Sequence, residues 1–311
     1  MATQAADIEA LYAWGQSTWS ARTWRALKRF VRTQPLGTAG AIVVFAILVA
    51  AIFQGLISTS DPTSFDGDVL VGPSSTHFFG TNREGQDVWS RVIYGARPAL
   101  QIGVGAVALS LLVGVTLALI AGFAGGIWDT VISRIVEIFI CLPALLWALF
   151  LRNGLAKYQD NSYLGLDGSI AILIVAISVG LIPIITRILR GNVLQEKSRQ
   201  YVEAAQVVGA TNFRIMFRHI LPNLAPLIIV VGSATIPAAI LAESGLSFLG
   251  LGLPSGDPSW GADLGGKART LFRTYWWLPI FPGLALSLTV LAFNLLGDSL
   301  RDTLDPRLRG R

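Results

Sequence analysis

The chain has 311 residues, 53% of them hydrophobic and only 14% charged. With a mean hydropathy of +0.59, that balance excludes an ordinary soluble domain, where about a quarter of residues are charged. The net charge of +5 suggests a nucleic-acid partner at first sight, but its placement along the chain argues against one.

Residues 1–38 read as a cytoplasmic N-terminal segment. Trp14, Trp19 and Trp24 stand among basic residues over Ala6–Arg32. Aromatic rings and cationic stems suit a helix lying on the membrane surface; a disordered start over the first dozen residues is the other reading. The polar lead is too long for a cleavable signal peptide, and no small-x-small cleavage site follows. Six apolar runs are then long enough to cross a bilayer: Ala39–Ile57, Ala99–Phe123, Thr130–Leu151, Ile170–Leu189, Leu224–Leu241 and Leu278–Leu296. They divide the chain into a first span with its loop (39–98), a core of five spans (99–297) and a C-terminal tail (298–311). Basic residues gather before the first run (Arg22, Arg25, Lys28, Arg29, Arg32), beside the loop after the fourth (Arg190, Lys197, Arg199, Arg214, Arg218) and after the last (Arg301, Arg307, Arg309, Arg311). Acids such as Asp61, Asp66, Asp68, Glu84 and Asp87 mark the alternate side. This positive-inside pattern predicts both termini in the cytoplasm.

The loop Ser58–Pro98 opens with turn signals, Asp61-Pro62 and Asp66-Gly67, and reads as a packed plug over the outer end of the bundle. In the third run Arg134 and Glu137 share a helical face. A charge at mid-membrane costs about 2.5–3.5 kcal/mol, so Glu137 is expected to face protein or water, as a pathway-lining acid or as a partner of Arg134. Pro143 should kink that helix. Cys141, the single cysteine, reads as a buried thiol. Arg152–Gly168 is a polar outside loop whose role the sequence does not disclose.

Between the fourth and fifth runs lies a polar island, Tyr201-Val-Glu-Ala-Ala-Gln-Val-Val-Gly-Ala-Thr-Asn-Phe-Arg-Ile-Met-Phe-Arg-His-Ile-Leu-Pro222. Glu203, Ala204 and Ala205 favour helix, Gly209 breaks it, and Thr211 or Asn212 can cap a second helix. Pro222 predicts where that second helix bends or ends. The result is a helix-turn-helix at the membrane face, an element suited to docking.

Glu203-Ala-Ala, Gly209 and Leu221-Pro222 resemble the EAA loop of permease subunits of bacterial ABC importers. Phe79-Gly-Thr-Asn-Arg-Glu-Gly-Gln-Asp87, Ser90-Arg91 and Tyr94-Gly-Ala-Arg97 resemble the opening of dipeptide and oligopeptide permeases, with Phe79, Asn82 and Gln86 standing for the usual Leu, Asp and Arg. Glu243-Ser-Gly-Leu-Ser-Phe-Leu-Gly-Leu-Gly and Asn294-Leu-Leu-Gly-Asp-Ser-Leu-Arg-Asp-Thr-Leu-Asp-Pro306 are similar to two further elements, the latter with Ser299 and Thr303 substituted. Together these cover about Gly80 to Arg307.

The resemblance implies an all-α membrane protein of six transmembrane helices with type I importer architecture, in a bacterial cell membrane. It implies as partners a homologous permease, two ABC ATPase subunits and an extracytoplasmic substrate-binding protein. Peptides are the implied cargo; nickel chelates, glutathione and oligosaccharides use similar permeases. The loop 191–222 would carry the coupling helix. Within it Glu203 would anchor the helix start and pair with a basic group of the ATPase. Ala204 and Ala205 would permit close approach, and Gly209 would set the turn before Ala210. Tyr201, Leu221 and Pro222 complete the motif, and Arg214 and Arg218 would brace the second helix or bind lipid phosphate.

Other chemistry is weakly signalled. Gly261-Ala-Asp-Leu-Gly-Gly-Lys267 fits most of a phosphate-binding loop, but Ala268 stands where Ser or Thr would hold magnesium. No cofactor is therefore expected here; ATP and magnesium belong on partner subunits. His77 and His219 fall on opposite membrane sides. An ion-coupled secondary transporter would need ionisable groups converging at mid-membrane, and Glu137 stands alone.

Overall fold

Apolar runs in a bilayer satisfy their backbone by forming helices. In the computed structural model, which describes residues 28, 30–65, 68–163 and 165–304, they do so. In chain order the elements are α1 (Pro35–Ile52), α2 (Gln54–Ile57), α3 (Val88–Leu119), α4 (Gly126–Ile140), α5 (Ala144–Gly154), a small antiparallel pair β1 (Ser162–Tyr163) and β2 (Leu166–Asp167), α6 (Gly168–Lys197), α7 (Gln200–Val207), α8 (Asn212–Ile215), α9 (Leu221–Phe248), α10 (Trp260–Leu264) and α11 (Trp277–Leu304). Wide-turn π segments, Ile120–Ala124 and Met216–Ile220, extend α3 and join α8 to α9. Five helical stretches are long and apolar enough to cross a membrane, and counting the bent pair α4–α5 as one span gives six. The interfacial helix expected over Ala6–Arg32 lies almost wholly outside the described residues, as does the tail from residue 305.

Four expectations about the spans need correction. The third run is two helices bent by 87°, not one kinked span. Pro143 has extended backbone (φ −53°, ψ 136°) and no N–H to continue α4. Trp147 Nε1 donates to the carbonyl of Phe139 at 3.0 Å, and the two rings stack, which satisfies part of the broken ladder. Cys141 lies at this break and is exposed, not buried. The second span starts at Val88, well before Ala99, because Asp87 caps it by accepting from the N–H of Ser90 at 2.9 Å. Pro222 neither bends nor ends the loop's second helix. It sits in the first turn of α9, directly after Leu221 donates to the Met216 carbonyl across the wide turn, so its missing N–H leaves little undone.

The core forms where α3, α6 and α9 meet: Ile102 and Ala106, Leu173, Ala176 and Ile185, and Ala239 and Leu246 are all buried. On the far side α1 lies against α11 so closely that a Cβ at Gly40 would come 2.6 Å from the Ala292 carbonyl oxygen. Large apolar side chains point away from the bundle, among them Phe45, Leu112 and Phe150. In water such a surface would aggregate; in lipid it costs nothing.

One end of the bundle is closed by the 58–87 segment, the β1–β2 hairpin and residues 249–276. At this capped end Arg91, only 5% exposed, ties four segments together. Its guanidinium donates to Asp263 (2.7 and 3.0 Å), to Gln86 Oε1 (2.9 Å) and to the carbonyls of Gly256 (3.0 Å), Pro62 and Asp257 (both 3.3 Å). Asn82 and Gln86, two positions that depart from the family pattern, hydrogen-bond each other at 2.8 Å. Glu243 is buried inside α9 beneath this cap, where it accepts from the hydroxyls of Ser247 (2.7 Å), Ser259 (3.1 Å) and Ser244 (3.2 Å). The Gly261–Ala268 string is the short α10 followed by a 3-10 turn, without the preceding strand a phosphate-binding loop requires.

Candidate functional site

At the opposite end of the bundle the polar island folds as a helix, a turn and a second helix running into α9. Gly209 (φ +81°) stands just past α7, where an L side chain would be strained. Its N–H donates to the Gln206 carbonyl at 2.9 Å, and that of Ala210 to the Ala205 carbonyl at 3.0 Å. This crossed pair closes the helix C-terminus. Thr211 then caps α8, its hydroxyl accepting from the N–H of Arg214 at 3.4 Å.

The loop has two faces. Toward the bundle, Val202 is fully buried with Leu119 and Phe123 of the second span, Val193 of α6, and Ile215, Ile220 and Leu224. Burying a valine is worth about 1.5–3 kcal/mol, so this one side chain clamps the loop to the ends of three spans. Tyr201, Ala205, Ala210 and Leu221 pack around the same cluster. Polar ties reinforce it. Lys197 Nζ donates to the Phe123 carbonyl at 2.7 Å, and the Tyr201 hydroxyl to Glu196 at 2.8 Å. Arg190 and Asp129 form an ion pair, with Nη2 to Oδ2 at 2.7 Å, that joins α6 to α4. Burial holds the Tyr201 hydroxyl pKa above its ordinary value, and the neighbouring Glu196 adds to this.

Away from the bundle, Glu203, Ala204, Gly209, Arg214 and Pro222 are exposed. Glu203 lies in the first turn of α7, where the helix dipole favours an anion. Glu203, Arg214 and Arg218 form no ion pair among the described residues, so the arginines do not brace the second helix by that means. Val207 and Val208, each 87% exposed, and Phe213, 67% exposed, form an apolar tip beside these charges, with the Phe213 ring tilted against Phe217. Sequence reasoning singled out the motif residues but passed over the anchor Val202 and this tip. Two adjacent valines just before a helix-breaking glycine were the available signal.

Glu137 pairs with Arg134 at 2.8 Å, and both side chains are more than half exposed. His77 sits at the capped end 3.1 Å from Asp87, and His219 at the loop end on the second wide turn.

Helices of membrane-crossing length, a capped end and a loop clamped beneath three of them fit a multi-pass membrane permease. The comparisons make this specific. Residues 114–310 match the family of binding-protein-dependent transport system inner membrane components, and the chain belongs to that family. It is 36% identical to the dipeptide transport system permease protein DppC of Alkalihalophilus pseudofirmus, over 92% of this chain and 90% of that one. It is 40% identical to DppC of Bacillus subtilis (92% and 85%) and 39% identical to the glutathione transport system permease protein GsiD of Pectobacterium atrosepticum (93% and 93%). Among solved structures, an amino acid ABC transporter with histidines superposes with a TM-score of 0.50 at 19% identity, covering 68% of this chain and 94% of that one, which supports the fold. Membership in this family makes the chain a transport subunit that works with a substrate-binding protein and with ATPase subunits.

Proposed function

We propose that this chain is one of two homologous permeases in an importer of small peptides, and that residues 198–220 receive the motion of an ATPase subunit. The observation that carries the reading is the two-faced loop. Its inner face is locked to the ends of three spans by Val202, so a displacement of the loop must displace the helices. Its other face offers a carboxylate, two arginines unpaired among the described residues and an apolar tip. A rigid element that both the nucleotide cycle and the pathway can bias is what alternating access needs. The pathway would run between the two permeases, ATP and magnesium would reside on two ATPase subunits, and a binding protein would deliver cargo at the capped end. Peptide cargo is supported by relatives named for dipeptide and for glutathione, itself a tripeptide.

The test is the double substitution Glu203→Lys with Gly209→Val. A Cβ at Gly209 meets open space, so the cost there is conformational, about 1–3 kcal/mol, and falls on the turn alone. The inserted protein should stay folded, while peptide uptake in proteoliposomes is abolished and the ATPase no longer co-purifies at its normal level. Normal uptake by the double variant would remove this loop from the coupling role. Orientation is checked on a Cys141→Ser background: Ala5→Cys and Gly310→Cys should resist an impermeant thiol reagent applied to intact cells, and Asp66→Cys should react.

A further inference from the structure

The capped end contains a cleft of about 330 Å³ between α2, α3, the β1–β2 hairpin and the 253–258 segment. That volume lies in the range of small-ligand sites, about 300–1,000 Å³. Its charges are left open. Arg97 of α3 is exposed and forms no ion pair among the described residues. The cleft also holds two carboxylates, Asp167 and Asp257, neither of which forms an ion pair among the described residues. Asp167 accepts from the N–H of Ser169 at 2.8 Å with one oxygen, and the other accepts no hydrogen bond among the described residues. The Asp257 carboxylate accepts no hydrogen bond among the described residues, while its backbone carbonyl accepts from Arg91 at 3.3 Å. Partial burial and the negative charge of Asp167 push the Asp257 pKa up against the opposing pull of Arg91, so the two acids feel each other. Gln54 also lines the cleft, and its buried Oε1 is the one buried side-chain oxygen or nitrogen among the described residues that lacks a hydrogen-bond partner. Such an orphan calls for an explanation.

We propose that this cleft is a subsite for the zwitterionic backbone of a short peptide, with Asp257 and Asp167 receiving the ammonium end and Arg97 the carboxylate end. The assignment rests on the peptide reading above and adds the groups that recognise the cargo. Opposite charges that share a cleft without meeting are matched by a ligand that carries both. Two residues of extended chain reach about 7 Å, enough to separate its termini across a cleft of this size. Arg97 suits a carboxylate because its planar fork offers two parallel donors. The carboxylates are held ready, one by its helix cap and the other by the Arg91 network, so little ordering remains when the ligand arrives. Tyr94 and Gln101 supply further polar groups along the wall.

The assay uses the complete importer in proteoliposomes, with radiolabelled alanyl-alanine on its binding protein at equal occupancy throughout. Arg97→Gln and Asp257→Asn should each lower uptake about tenfold, Arg97→Lys should recover to within about threefold of the parent, and ATP turnover stimulated by the loaded binding protein should stay within twofold. Uptake by both neutral variants within twofold of the parent overturns the subsite. So does a loss matched by equal loss of ATP turnover or of assembled importer, which marks a structural role. So does an Arg97→Gln loss confined to vesicles of anionic lipid, which assigns that arginine to a lipid headgroup. A parent importer that takes up no dipeptide overturns the peptide reading and the subsite with it, whereas good parent uptake with indifferent variants removes the subsite alone.

Discussion

The buried network at the capped end and the exposed face of the loop settle their polar groups in opposite ways. At the capped end the Arg91 guanidinium is spent inside the chain on Asp263, Gln86 and three carbonyls. Glu243 beneath it is enclosed by three serine hydroxyls. At the loop end the charges of Glu203, Arg214 and Arg218 are unpaired among the described residues, and Val207, Val208 and Phe213 stand in the open. A buried network has to be complete within one chain because an unpaired buried polar group is expensive. An exposed loop can leave groups open for a partner. The difference separates a buried network that holds the fold from a surface left open to another subunit.

The strongest way to break this contrast is Val202→Asp. An acid forced into the apolar cluster beneath the loop should cost more than about 4 kcal/mol and detach the loop from the spans. Peptide uptake should disappear, and limited proteolysis should cut within 198–215; an uncleaved, active variant would show that the clamp is dispensable. Arg91→Ala comes next. Removing one partner of a buried ion pair costs about 3–5 kcal/mol and leaves Asp263 and three carbonyls without their donor. The thermal midpoint of the purified subunit should fall, while the loop end, distant from this change, keeps its resistance to proteolysis. If the two ends destabilise together, they are one cooperative unit and the division drawn above fails.

Phe213→Ser sharpens the comparison from the other side. Its ring is largely exposed, so stability should change by no more than about 0.5 kcal/mol. Co-purification of the ATPase should nonetheless drop severalfold, and an unchanged yield would argue that the apolar tip contacts nothing. The smallest effect concerns Tyr201, whose hydroxyl pKa is raised by burial in the folded state. The folded chain then holds that proton more tightly than the unfolded one. Stability is therefore unaffected below the ordinary tyrosine pKa of about 10 and falls as pH climbs through the folded value. Melting curves from pH 8 to 11 should show a shallower alkaline decline in Tyr201→Phe; identical slopes would mean the hydroxyl is not sheltered.

The sequence by itself determined what depends on local order. Apolar runs of bilayer length dictated helices, a glycine after Glu203-Ala-Ala dictated the turn, and motif spacing placed the family resemblance. Charge asymmetry also supplied an expectation of orientation that awaits the labelling experiment. Tertiary structure decided whatever depends on a partner far along the chain. Pro143 signals a break, but an 87° bend also needs Trp147 to take up the Phe139 carbonyl. Ser90-Arg91 read as part of a loop until the Asp87 cap placed Arg91 in a helix and the 256–263 segment supplied its acceptors. Val202 looks like any helical valine in the one-dimensional string. It becomes an anchor because α3, α6 and α9 end around it, and burial is a property of neighbours that local sequence cannot encode.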